Sequence, residues 1–127
     1  MAWRAPKSVS FRACIYPSSD REGCFVAHCL ELDLIGEGRT PQDAVVELIE
    51  AIRLQLDACD NASQFFFPAP GRIWQRYAQA KKAKRVFLRR IVQEAVRKAS
   101  RREYAPHFDT VVATSSVPER YLAASTA

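Results

Sequence analysis

Cys24, His28 and Cys29 sit close together in the chain, and thiolate and imidazole are ligands that suit zinc. Neighbouring side chains on a strand point to opposite faces, so Cys24 and His28 share a face that Cys29 does not join. Cys14 and Cys59 would have to arrive from other elements, and free cysteines are commonly buried. All four therefore read as reduced core thiols, and no metal site is expected. A Cys24–His28 nucleophile pair fails on distance. Along an extended strand, at ~3.3 Å per residue, the two side chains stand about 13 Å apart, too far for the hydrogen bond that activation requires. His107 falls in a stretch that reads as loop, with no partner in sequence.

The carboxylates Glu31, Asp33 and Glu37 cluster around one short segment. A metal-dependent nuclease needs several carboxylates converging on two ions about 3.5–4 Å apart, and the first apolar segment, Ser8 to Tyr16, contains no acid. A weak nuclease is thus the least favoured reading. No catalytic residue is assigned and no cofactor is expected.

Basic charge carries more information. From Arg72 to Arg102 there are twelve basic residues and one acid, Glu94. At 100° per residue, Arg90, Arg97 and Arg101 fall opposite Leu88, Ile91 and Ala95, which makes a basic ridge on a helix. The bland alternative is a solvated face, since Lys and Arg are good helix formers and Glu94 is four residues from both Arg90 and Lys98. A solvated face normally mixes signs, however, so the ridge is read as a surface for a polyanion. Lys84, Arg85, Arg89, Arg90, Arg97, Lys98 and Arg101 are its candidate nucleic-acid contacts. Phosphate contacts would dominate there, with a steep salt dependence.

These residues need elements to hold them. Val9, Phe11, Ala13 and Ile15 alternate with Ser10, Arg12, Cys14 and Tyr16, the period of a strand with one buried face. Pro17 to Gly23 supplies turn chemistry, and the runs Cys24–Cys29 and Asp33–Gly38 follow as two more strands. Links this short favour antiparallel neighbours. Thr40 before Pro41, with Asp43 three residues after the Thr, predicts a helix start. Val45, Leu48, Ile49, Ile52, Leu56 and Cys59 then form one apolar stripe that packs the helix on the sheet. Gln64–Phe67, closed by prolines, reads as a fourth strand at an edge. Beyond Gly71 the period is helical again, with a short helix around Ile73, Trp74, Tyr77 and Ala80. A second helix, from Ala83 to Tyr104, carries its stripe on Leu88, Ile91, Val92, Ala95 and Ala99. After Pro106 the chain is rich in Ser, Thr and Ala, and is expected to be mobile unless a partner orders it.

The whole is the size of one domain, 127 residues with 48% hydrophobic and 26% charged residues, which excludes wholesale disorder. No apolar run reaches the ~20 residues that span a bilayer, and the first residues lack a signal-peptide core. A soluble, cytoplasmic protein with no membrane partner is expected. The net charge of +5 divides along the chain: residues 1–64 hold six basic and ten acidic residues, and residues 65–127 hold thirteen basic and four acidic. Two electrostatically different partners are implied.

The run Gly23–Cys24–Phe25–Val26–Ala27–His28–Cys29–Leu30–Glu31–Leu32–Asp33–Leu34, followed by Gly36–Glu37–Gly38–Arg39–Thr40–Pro41–Gln42–Asp43–Ala44, resembles the HicB-type antitoxin family. Its "G-x-T-x-x-[DE]-A" element gives each residue a separate job: the Gly ends a strand, the Thr caps a helix, and the acid answers the cap and the dipole. The likeness covers roughly residues 9 to 60. It implies an α+β fold of the truncated RNase H kind, with a three- to four-stranded antiparallel sheet and one long helix packed on it over residues 8–70. A basic helical extension over 71–105 and a mobile tail over 106–127 complete the expected organisation.

The resemblance further implies a non-catalytic antitoxin or regulator whose partner is a small basic RNA-cleaving toxin of the HicA type. Charge complementarity makes Asp20, Glu22, Glu31, Asp33 and Glu37 the candidate toxin contacts. Operator DNA is the second implied partner, bound by a homo-oligomer. No helix-turn-helix or ribbon-helix-helix is legible after Pro70. The alternative function is a stand-alone structural or regulatory oligomer without a toxin.

Overall fold

The computed structural model describes residues 10–83, 89–99 and 106–121. Its elements run β1 (Ser10–Pro17), β2 (Phe25–Cys29), β3 (Leu34–Gly38), α1 (Pro41–Ala58), α2 (Ala62–Phe65), α3 (Gly71–Ala83), α4 (Arg89–Ala99) and β4 (His107–Ala113), closed by a short turn of 3-10 helix at Glu119–Tyr121. The fold is α+β.

β1, β2 and β3 form the expected antiparallel meander, with Ala13 opposite Cys29, Cys14 opposite His28, and His28 opposite Ile35. The sheet is nevertheless mixed, in the order β3-β2-β1-β4, because β4 pairs parallel to β1. An all-antiparallel sheet is therefore corrected. A parallel neighbour needs a long crossover, and the segment that carries α1, α2, α3 and α4 between β3 and β4 supplies it. The fourth strand lies at residues 107–113, where a mobile tail was expected, and His107 opens it. Conversely, Gln64–Phe67 makes no strand. Asn61 caps the one-turn α2 by accepting from the Gln64 N–H at 3.1 Å, and Phe65 turns into the core edge-on to Phe11.

α1 begins as the sequence predicts: Thr40 Oγ1 accepts from the Asp43 N–H at 3.1 Å, and Pro41 occupies the first turn. Val45, Leu48, Ile49 and Ile52 are buried against the sheet. α1 lies so close to β3 that a Cβ on Gly36 would collide with Leu48 N and Ala44 O, both backbone atoms.

β1 has two covered faces, not one. Phe11, Ala13 and Ile15 point into the core shared with α1 and α4, together with Phe65, Ile91, Ala95 and Val111. Cys14 points the other way, into a smaller cluster with Leu30, Tyr77, Ala80 and Val112, packed by Tyr16 and Trp74 from its margin. α3 and α4 thus lie on opposite faces of the sheet. The boundary drawn at residue 70 does not separate two cores, since Ile91 and Ala95 of the basic segment are buried in the main one.

Candidate functional site

The α3 face brings together polar groups from three separate segments. Tyr16 near the end of β1 and His28 on β2 are diagonal neighbours, because Cys14 pairs with His28 and Tyr16 with Val26. The Tyr16 hydroxyl lies 2.9 Å from His28 Nδ1, and His28 Nε2 lies 2.7 Å from Asp33 Oδ1. In the tautomer with Nε2–H donating to the Asp33 carboxylate, Nδ1 accepts from the Tyr16 hydroxyl. Asp33 reaches back because its backbone sits in the left-handed region, φ 49°, which Asp tolerates better than most residues. His28 is the one buried polar residue among those described, at 6% exposure, and both of its ring nitrogens are bonded.

α3 closes over this chain. Arg76 stacks on Tyr16 with Cζ 4.3 Å from the ring centroid, and Arg12 stacks on Trp74 at 4.8 Å. The helix is tied at several points: Ala69 N–H donates to Leu30 O at 2.8 Å, Trp74 Nε1–H to Ala69 O at 3.0 Å, and the Tyr77 hydroxyl bonds Thr110 Oγ1 of β4 at 2.6 Å. Burial pushes the Cys14 thiol up to about 12 against the smaller opposing pull of Arg76. Burial likewise raises the Tyr16 phenol, with Arg76 opposing it. Burial, aided by the nearby Glu31 charge, pushes Cys29 up to about 12. All four cysteines are free thiols. Among the described residues no three His, Cys, Asp or Glu side chains are grouped so as to hold a metal ion.

The five acidic candidates differ in exposure and in partners. Asp20 and Glu22 are exposed on the β1–β2 loop. Glu31 instead serves β1, accepting from the Arg12 backbone N–H at 2.7 Å and from its Nε at 2.8 Å. Asp33 is held by His28. Glu37 is half-buried on β3, where Oε1 accepts no hydrogen bond and Arg21 Nε stands 4.0 Å away.

Of the basic candidates, Lys84, Arg85 and Arg101 lie outside the described residues. Arg89 and Arg90 are on α4, but their side chains also lie outside the description. Arg97 and Lys98 are exposed, and Arg97 donates to Glu94 at 2.6 Å. Sequence reasoning set His28 aside as a metal ligand and as part of a nucleophile pair, and left Tyr16, Arg72 and Arg76 out of the candidate site residues. The available signal was the β1–β2 register, which puts residues 14, 16 and 28 on one pleat face.

No known family profile matches this chain, and neither a curated protein nor a solved structure registers as a match. Among the described residues no helix is long and apolar enough to cross a membrane.

Proposed function

We propose that this chain is a non-catalytic binding protein of the HicB-like antitoxin kind, on a scaffold akin to a truncated RNase H fold. Its acidic unit covers a small basic RNA-cleaving toxin. The observation that supports this reading is the β3–α1 joint, where Gly38 ends the strand, Thr40 accepts from the Asp43 N–H as the helix cap, and Asp43 brings its charge to the helix start. Gly36 and Gly38 admit the α1 backbone. Asp20 and Glu22 extend from the adjoining hairpin as exposed negative charge, suited to speeding encounter with a basic partner. The described part of α4 offers Arg97 and Lys98 to nucleic acid as a second partner.

The test is co-expression with a short basic protein encoded beside this chain, followed by size-exclusion chromatography and an RNA cleavage assay. A stable complex that silences cleavage is expected, with association slowed about tenfold by Asp20→Lys with Glu22→Lys at low salt. Failure to form a complex, or manganese-dependent RNA cleavage by this chain alone, would overturn the reading.

A further inference from the structure

We propose that Arg72 and Arg76 of α3, with Tyr16 as the platform beneath Arg76, form a binding site for a phosphate group. This does not rest on the antitoxin reading, and the site is on the opposite sheet face from Arg97 and Lys98 of α4.

The first argument is unanswered charge. The first turn of α3 holds no acid, yet Arg72 stands in it and Arg76 follows one turn later. The start of a helix carries partial positive charge, so cations there are unfavourable. Arg12, Arg53 and Arg97 each have a carboxylate within ion-pair distance, whereas among the described residues neither Arg72 nor Arg76 has one. A local conflict of this kind, retained in a folded chain, marks places where function overrides stability.

The second argument is position. Arg76 is exposed but not loose, because its guanidinium rests 4.3 Å from the centroid of the Tyr16 ring. That ring is in turn fixed by the buried chain through His28 to Asp33. A stacked guanidinium keeps its N–H edge free for a ligand while losing less entropy on binding. Both arginines already act on Tyr16 electrostatically, and Arg76 acts on Cys14. Two unpaired cations with planar forks match the charge and oxygen geometry of a phosphate dianion better than a single carboxylate.

The test is isothermal titration calorimetry on the full chain at low salt. Probes are inorganic phosphate, adenosine 5′-monophosphate, a short single-stranded DNA and, as a carboxylate control, acetate. Saturable phosphate binding is expected, weakened at least tenfold by Arg72→Ala with Arg76→Ala and lost at high salt. Equal affinity for phosphate and nucleotide would identify a small-molecule ligand, and tighter binding of the DNA than of phosphate, lost with both arginines, would identify a nucleic-acid strand; each outcome upholds phosphate recognition. Tyr16→Leu should weaken binding severalfold and abolish the ring-current shift on the Arg76 side chain, while Tyr16→Phe, which keeps the ring but loses its bond to His28, should retain the shift and weaken binding less. Arg76→Gln, a second exposed substitution checked by circular dichroism, covers the case of an unstable alanine variant. Acetate binding as tightly as phosphate, no saturable binding, or binding indifferent to both arginines would overturn the proposal.

Discussion

The two faces of the sheet are built on different physics. Against α1 and α4 the contacts are apolar, from Phe11, Ala13 and Ile15 to Leu48, Ile52 and Ala95. The backbones there approach so closely that Gly36 is required. Against α3 the small apolar cluster is rimmed by hydrogen bonds and stacked cations: Tyr16–His28–Asp33, Tyr77–Thr110, Arg76 over Tyr16 and Arg12 over Trp74. Apolar burial supplies non-directional stability in proportion to area. Directional polar contacts add little net stability each, but they fix where a side chain stands. One face accounts for the fold, and the other holds charged groups in defined places at the surface.

Substitutions on the two faces test that contrast. Gly36→Ala carries the largest effect, because the colliding atoms are backbone and cannot rotate away; a loss of about 4 kcal/mol or more is expected in urea unfolding. Phe65→Ala empties a fully buried site beside Phe11, at about 3–5 kcal/mol. His28→Leu, on the polar face, strands the Tyr16 hydroxyl and the Asp33 carboxylate at about 1–3 kcal/mol. A loss equal to that of Phe65→Ala would erase the distinction between the faces. Thr40→Ala should cost about 1 kcal/mol through the lost cap.

The last effect is alkaline and grows with pH. Cys14 and Cys29 are raised in the folded protein from the ordinary 9.0 to about 12, so above pH 9 the unfolded chain releases protons that the folded chain keeps. Stability should therefore fall as pH rises from 9 towards 12, with no contribution from these thiols below 9. Chemical denaturation at stepped pH measures it. Iodoacetamide labelling of the native protein should meet half-buried Cys24 before buried Cys14 or Cys29.

The β1–β3 meander and α1 were legible because their signals are local. Alternation over residues 9–16, turn chemistry over 17–23 and the Thr40 cap each involve a few contiguous residues. β4 was not legible. Its pattern is interrupted at the β1–β4 register shift, where Phe11 faces Phe108 but Arg12 faces Thr110, leaving Asp109 as the extra residue. Its surroundings of Ser, Thr and Ala read as a tail. Gln64–Phe67 had a strand's composition, but the Asn61 cap and the pull of Phe65 into the core settled it as a helical turn. Asp20 and Glu22 were placed on the loop between β1 and β2, whereas the role of Glu31 depended on Arg12, 19 residues away, and that of Asp33 on a left-handed turn that brings it back to His28.

What the sequence by itself determined was the composition of each element and the charge it carries. Such properties follow from covalent neighbours, backbone period and capping, and need no knowledge of the rest of the chain. Tertiary structure alone decided that β4 returns beside β1, that α3 and α4 part to opposite faces, and that Tyr16, His28, Asp33 and Arg76 meet. Those outcomes depend on which distant surfaces bury each other best, a competition among all pairings of the chain that no local pattern encodes.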